Sequence, residues 1–193
     1  MPRLFAGIEL PEEIRDQLSD LGQPLPGAKW VDDDDLHITL RFGGEIEGHI
    51  AREFTDLLGE IQADAFELTL EGLGTFGGND PRAIWARVAP NPLLDTLALA
   101  CDRAARNAGV PPDAKPFKAH VTLARLRGTP PEVVAKYLQS IGAFRSQPFQ
   151  VSQFVLYSAK PKTGGGPYVV EAEYLLRGGT PDMSDFENHD RWR

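Results

Sequence analysis

Two short stretches of the chain repeat the same pattern of histidine, threonine and aliphatic residues. The first is His37-Ile38-Thr39-Leu40 and the second is His120-Val121-Thr122-Leu123. Side chains alternate between the two faces of a β-strand, so each stretch would present its histidine and threonine on one face and its aliphatic residues on the other. The chain contains four histidines, and the matched settings of two of them indicate a shared role.

Two imidazoles that face each other could act together as an acid and a base. The ordinary pKa of histidine, about 6.5, allows one ring to be neutral while the other is protonated near neutral pH. One ring would accept a proton from an attacking water, and the other would give a proton to the leaving oxygen. The hydroxyls of Thr39 and Thr122 could donate hydrogen bonds to phosphate oxygens between the rings. This set suits in-line displacement at phosphorus, such as the opening of a cyclic phosphodiester.

Other interpretations of the two histidines fit the sequence less well. They could be half-exposed strand residues without a chemical role, but their matched flanks argue against this. A metal site needs more ligands, and the sequence has no His-x-x-x-His or Cys-x-x-Cys spacing to supply them. A nucleophilic triad would need a Gly-x-Ser-x-Gly turn, which is also absent from the sequence. We therefore expect neither a metal nor a cofactor.

Strands and amphipathic helices surround the two stretches in the same order: strand, helix, loop, His-x-Thr strand, helix and strand. His37 precedes Phe66 by 29 residues (66 − 37), and His120 precedes Phe149 by 29 residues (149 − 120). Equal spacing across a helix and two turns indicates an internal duplication. Alternating and periodic hydrophobic residues predict strands at residues 3–10, 36–42, 66–73, 83–89, 149–158 and 168–176, with helices after Pro11, near Ile50–Ile61, near Asn91–Asn107 and after Pro131.

The sequence therefore predicts an α+β fold with two lobes. Each lobe would be an antiparallel sheet with helices on one face, and a pseudo-two-fold axis would relate the lobes across a central groove. We expect a single catalytic domain over residues 1–178, made of two intertwined lobes that the repeat divides at about 1–80 and 81–178. Residues 179–193 are polar and lack periodicity, so we expect a flexible tail.

Composition limits the class of protein. The sequence has 20 Lys and Arg against 28 Asp and Glu, a net charge of −8, which argues against a protein that coats nucleic acid non-specifically but allows a small basic pocket. The single cysteine, Cys101, lies in an apolar run, so we expect buried packing rather than catalysis. No signal-peptide pattern or membrane-spanning run is present. We expect a cytoplasmic monomer without a membrane partner.

Residues 37–44 and 120–125 resemble the paired His-x-Thr motifs of the two-histidine phosphoesterase superfamily. The similarity extends to residues 3–11, 83–88 and 154–158, and it is strongest to the RNA 2′,3′-cyclic phosphodiesterases, also called 2′-5′ RNA ligases. One departure is Gly43-Gly44, where the family usually has Leu-Gly. This change removes an apolar contact without touching a catalytic group.

The resemblance implies metal-independent hydrolysis of a terminal 2′,3′-cyclic phosphate to a 2′-phosphate in the groove between the lobes. It implies that His37 donates a proton to the leaving 3′ oxygen and that His120 activates water, although the quasi-symmetry alone leaves these roles interchangeable. Arg125 matches the family's basic residue after the second motif and is expected to neutralise phosphate charge. It occupies the position that Phe42 holds in the first motif (120 + 5 and 37 + 5). The implied substrates are RNA with 2′,3′-cyclic phosphate ends or small cyclic nucleotides.

Several assignments remain open at this point. By strand alternation Arg41 shares a face with His37 and Thr39, so it is expected either to line the groove or to form a solvated ion pair. Three aromatic residues, Phe5, Phe42 and Tyr157, could stack a base, and three cations, Arg82, Lys118 and Lys160, could steer an RNA end. Two other functions are also open: joining a cyclic-phosphate end to a 5′-hydroxyl to make a 2′-5′ linkage, and binding of nucleotides with little turnover.

Overall fold

The computed structural model describes residues 1–179 of the chain. These residues form ten strands and four helices, in the order β1 (Arg3–Glu9), α1 (Glu12–Ser19), β2 (Ala28–Trp30), β3 (His37–Glu45), α2 (Gly48–Gly59), β4 (Phe66–Leu68), β5 (Leu70–Phe76), β6 (Ala83–Val88), α3 (Pro92–Ala108), β7 (His120–Leu126), α4 (Pro131–Ile141), β8 (Phe149–Val151), β9 (Gln153–Ala159) and β10 (Val169–Leu175). None of these four helices is long and apolar enough to cross a membrane. The tail predicted for residues 179–193 lies, apart from Gly179, outside the described residues.

Eight of the strands form one sheet, with the order β10-β9-β1-β3-β7-β6-β5 and with β2 beside β7. Every neighbouring pair in it is antiparallel. The order is symmetric about its centre, because β9 pairs with β1 as β5 pairs with β6. Strands from the later part of each sequence repeat therefore lie beside the opening strand of the other repeat. The predicted α+β class and its two duplicated sheet-and-helix lobes are confirmed.

The two lobes join where β3 meets β7. The pair that links these strands in the described chain is Ile38 with Val121, and both side chains are fully buried. Paired residue numbers in this antiparallel register sum to 159, so His37 lies across from Thr122 and Thr39 lies across from His120. Residues directly opposite each other share a face of the sheet. Both His-x-Thr pairs therefore project from one face, on either side of the pseudo-two-fold axis.

The opposite face of β3 and β7 lies in the hydrophobic core. Its aliphatic residues are at most 4% exposed, and they belong to the same buried cluster as Phe54 of α2: Ile38, Leu40, Val121 and Leu123. Burying each such side chain contributes roughly 1.5–3 kcal/mol to folding. The alternation predicted for the two stretches is confirmed, because the apolar residues fix which face carries the histidines and threonines.

A β-bulge follows each His-x-Thr pair and changes the alternation. The register shifts at Leu40 in the β1–β3 ladder and at Leu123 in the β6–β7 ladder. A bulge adds one residue to a strand and moves the following side chains to the other face. As a result, the residue four positions after each histidine is buried and the residue five positions after it is exposed: Arg41 and Ala124 are buried, and Phe42 and Arg125 are exposed.

The prediction that Arg41 lines the groove is wrong, because the bulge at Leu40 turns this side chain to the core side of the sheet. Arg41 is 4% exposed. Its Nε donates to Asp102 Oδ1 of α3 at 2.7 Å, and its Nη2 donates to the carbonyl oxygen of Pro111 at 2.7 Å. Arg41 does form an ion pair, but a buried one that ties β3 to α3 and to the segment leading into β7.

Two stretches predicted as single strands are each divided into two. Residues 66–73 contain β4 and the start of β5, and residues 149–158 contain β8 and most of β9, with breaks at Thr69 and Ser152. β4 pairs with β8 in a separate two-stranded sheet, whereas β5 and β9 join the main sheet. The backbone changes partners at the breaks: Thr69 O accepts from Ala89 N at 2.9 Å and Ser152 O accepts from Leu176 N at 2.8 Å. Both breaks come three residues into the stretch, so the duplication includes this change of sheet.

Asp102→Ala is expected to lower the free energy of unfolding by about 3 kcal/mol or more, because it leaves the buried guanidinium of Arg41 without a carboxylate. Urea denaturation measures this loss. The control is Asp80→Ala, which removes the partner of Arg82, two side chains that are both more than 60% exposed; its cost should stay within about 1 kcal/mol. Equal small losses in the two variants would contradict a structural role for the Arg41–Asp102 pair.

Candidate active site

The face of β3 and β7 that carries the histidines forms part of a groove of about 360 Å³. Five of the six site residues that the sequence predicts line this groove, and Arg41 is the exception: His37, Thr39, His120, Thr122 and Arg125. The structure therefore brings residues that are more than 80 positions apart in the sequence into one site.

Each imidazole is oriented by the backbone carbonyl two residues before it. His37 Nδ1 lies 2.7 Å from the carbonyl oxygen of Asp35, and His120 Nδ1 lies 2.6 Å from that of Lys118. A carbonyl oxygen can only accept, so Nδ1 carries the hydrogen in both rings. In a neutral ring Nε2 then has a free lone pair. His37 Nε2 lies 3.0 Å from Thr39 Oγ1, and the neutral ring accepts a hydrogen bond from that hydroxyl.

Aromatic rings pack against both imidazoles. The centroid of the His37 ring is 5.0 Å from that of Phe5 and 5.1 Å from that of Tyr168, and the His120 ring is 5.1 Å from Phe76. Of the three aromatic residues suggested as base platforms, Phe5 and Tyr157 are buried, and Phe42 is 55% exposed and lines the groove. The buried rings hold the histidines in place, and Phe42 remains available for a ligand.

Burial lowers the pKa of both histidines below the ordinary value of 6.5. For His37, the hydrogen bond to the carbonyl of Asp35 and the Asp35 carboxylate oppose this shift, while the charges of His120 and Arg125 add to it. For His120, the Lys118 ammonium group lowers the pKa further, although the Lys118 carbonyl opposes it. Both rings are therefore neutral near pH 7 in the free protein. The charged side chains nearest the two rings act in opposite directions: the Asp35 carboxylate raises the pKa of His37, and the Lys118 ammonium lowers that of His120.

Arg125 is an exposed cation on β7, at the side of the groove that this strand forms. Its Nη2 donates to the Tyr168 hydroxyl at 3.4 Å, and no carboxylate among the described residues forms a salt bridge with it. A guanidinium in this state can form paired hydrogen bonds with phosphate oxygens. The site thus offers an anion the Thr122 hydroxyl and the guanidinium of Arg125, and the Thr39 hydroxyl joins them once His37 is protonated and no longer accepts its hydrogen.

The loop between β9 and β10 completes the groove, and its residues are not among those predicted from the sequence. The Tyr168 backbone N–H donates to Asp35 Oδ1 at 2.9 Å, and Tyr168, Asp35 and Arg3 all line the groove. A Cβ at Gly166 would lie 1.8 Å from Asp35 Oδ2, and one at Gly164 would lie 2.8 Å from the Arg3 guanidinium. The run of three glycines was the signal, because it permits this close approach of backbone to side chains.

The described residues offer little support for a metal site or a reactive cysteine. Residues 1–179 contain no group of three or more His, Cys, Asp or Glu side chains that could hold a metal ion. Cys101 is fully buried, and burial raises the pKa of its thiol to about 12. This fits the prediction that Cys101 packs in the core, since the thiolate is the reactive form.

Comparison with known proteins points to one family. A family model described as LigT like phosphoesterase matches residues 8–85 and residues 88–168, one segment in each half. The chain is 31% identical over 167 residues to an RNA 2′,3′-cyclic phosphodiesterase of Archaeoglobus fulgidus, a match that covers 82% of this chain and 94% of the relative.

Solved structures agree with the sequence comparison. The TT0787 protein of Thermus thermophilus superposes with a TM-score of 0.78 at 28% identity, covering 91% of this chain and 98% of that one. Escherichia coli LigT in complex with 3′-AMP superposes with a TM-score of 0.74 at 28% identity, covering 92% of this chain and 99% of that one.

NMR titration of the two imidazoles tests the electrostatics of the groove. Both midpoints should lie below 6.5, so both rings should gain protons only as the pH falls further. Lys118→Gln should raise the midpoint of His120 by removing an ammonium group, and Asp35→Asn should lower that of His37 by removing a carboxylate. Lys115→Gln changes an exposed lysine in the same loop and should move neither midpoint. Unchanged midpoints in the first two variants would contradict the opposite effects of Asp35 and Lys118 on the two imidazoles.

Proposed function

Because the chain belongs to the LigT-like phosphoesterase family, we propose that it hydrolyses 2′,3′-cyclic phosphates at RNA ends to 2′-phosphates. The observation that carries the proposal is the position of His37 and His120, which line one groove from opposite sides of a pseudo-two-fold axis. In-line displacement at phosphorus requires the attacking and leaving oxygens on opposite sides of the phosphorus atom. Two imidazoles on opposite sides of a pseudo-two-fold axis suit that requirement.

The phosphate is held by the hydroxyls of Thr39 and Thr122 and by the guanidinium of Arg125. These groups line the groove with the two histidines. Each donates hydrogen bonds, so together they stabilise the negative charge that grows on the non-bridging oxygens during the reaction. The exposed ring of Phe42 in the same groove suits the base of the terminal nucleotide.

In the reaction His120 Nε2 removes a proton from water as the water oxygen attacks phosphorus. The bond from phosphorus to the 3′ oxygen breaks, and the proton on His37 Nε2 passes to that oxygen, leaving a 2′-phosphate. The two rings then return to their starting states by exchanging protons with solvent. Bound phosphate raises the pKa of both rings, because its negative charge favours the imidazolium form.

The two rings have charged neighbours of opposite sign. The Asp35 carboxylate favours a proton on His37, and the Lys118 ammonium disfavours one on His120. This contrast supports the roles that family resemblance implies, with His37 as the acid and His120 as the base. Residues 1–178 act as a single catalytic unit in this proposal. We also propose that the protein is a cytoplasmic monomer; its single cysteine suits a reducing compartment.

Turnover of 2′,3′-cyclic AMP in the presence of EDTA tests the activity. The wild-type chain should release 2′-AMP, and His37→Ala and His120→Ala should each lower turnover by roughly 10²-fold or more. His49→Ala, at an exposed histidine of α2, is the control. Binding of the cyclic nucleotide without product would overturn the proposal in favour of a binding protein, and full activity in either groove variant would overturn the two-histidine mechanism.

The pH dependence of kcat separates the roles. The wild-type rate should rise with pH as the base loses its proton and fall at higher pH as the acid loses its proton. His120→Gln should remove the rise on the acidic side, and His37→Gln should remove the fall on the basic side, with rates measured on the residual activity. The reverse pattern would exchange the two assignments.

A further inference from the structure

A row of exposed cations leads out of the groove from Arg125. Lys29 of β2 is paired directly with Arg125 of β7. Arg127 N donates to Gly27 O at 2.9 Å, which continues the same register (29 + 125 and 27 + 127 both equal 154). Paired residues, and residues two apart on a strand, share a face of the sheet. Lys29, Arg125 and Arg127 are therefore exposed on one face, while Leu126 is buried on the other.

The three positive side chains of this row repel one another. Lys29 lies directly across from Arg125, and like charges at such positions destabilise a sheet. No salt bridge in the described residues involves any of the three cations, although exposed arginines elsewhere, such as Arg82 and Arg177, pair with carboxylates. The chain has a net charge of −8, so acidic side chains are plentiful. An anion bound along the row would relieve the repulsion.

The row has no counterpart in the other lobe. The positions on β3 that correspond to Arg125 and Arg127 are Phe42 and Gly44 (37 + 5 and 37 + 7), and neither is charged. The β3 side of the groove therefore presents Phe42 and a single arginine, Arg3 of β1, whereas the β7 side leads into the row of cations. A nucleotide with its base against Phe42 would direct the rest of its chain toward that row.

We propose that Lys29 and Arg127, continuing from Arg125, bind phosphates of the RNA chain upstream of the reacting nucleotide. This proposal rests on the proposed function and adds a site for the RNA chain to the site for the reacting nucleotide. Residues two apart on a strand are separated by about 6.5 Å along it, a spacing that successive phosphates of a single strand can match. Exposed cations in a row are the electrostatic footprint expected of a polyanion site.

Binding of two product-like probes tests this surface without relying on turnover. The probes are a hexanucleotide RNA that ends in a 2′-phosphate and the mononucleotide 2′-AMP, with Kd measured over a range of salt concentrations. In the double variant Lys29→Gln/Arg127→Gln, the ratio of hexanucleotide affinity to mononucleotide affinity should be at least about fivefold lower than in the wild type. Its hexanucleotide affinity should also depend less on salt, the logarithmic slope becoming shallower by about 1.4 for two lost phosphate contacts at roughly 0.7 each.

A matched control removes the same charges elsewhere. Arg103→Gln/Lys136→Gln changes two exposed residues of α3 and α4 and should keep the wild-type affinity ratio and salt slope. If both double variants lower the hexanucleotide affinity equally, the effect is one of net charge and the proposal is overturned. It is also overturned if the ratio and slope of Lys29→Gln/Arg127→Gln equal those of the wild type. Failure to hydrolyse 2′,3′-cyclic AMP would refute the proposed function alone, because the binding ratio is measured separately.

Discussion

The site depends on the pairing of Ile38 with Val121, the buried contact that joins the central strands of the two lobes. Because side chains alternate along a strand, a shift of one residue in this register would turn one histidine and its threonine into the core. The aliphatic residues on both strands oppose such a shift, since each would lose its place in the core. The packing that stabilises the fold therefore also sets where the two imidazoles stand.

A symmetric frame becomes an asymmetric site through a few substitutions at equivalent positions. Two residues before the histidine, one lobe has Asp35 and the other has Lys118, although both supply the same backbone acceptor to Nδ1. Five residues after it, one lobe has Phe42 and the other has Arg125. Hydrolysis needs one proton donor and one proton acceptor, and a nucleotide presents a flat nucleobase and a charged phosphate. The duplicated strands can serve this reaction because the two lobes carry different side chains at equivalent positions of the groove.

The α+β class, the duplication and five of the six site residues could be predicted from the sequence, because the repeat spacing and the His-x-Thr alternation are visible in it directly. The features that the sequence did not predict depend on tertiary contacts. The bulge at Leu40, which sends Arg41 into a buried ion pair with Asp102, leaves no mark in the alternation of residues 37–42. The breaks at Thr69 and Ser152 arise where the chain moves between sheets. The packing of the glycine loop against Asp35 is visible only once the fold brings the two together.

A crystal structure with bound phosphate would show directly whether the two distant strands present their imidazoles to one phosphorus atom. We expect a single phosphate in the groove, with Nε2 of His37 and Nε2 of His120 each within about 3.2 Å of a different oxygen of that ion. A phosphate that contacts one histidine while the other ring faces a separate pocket would contradict it.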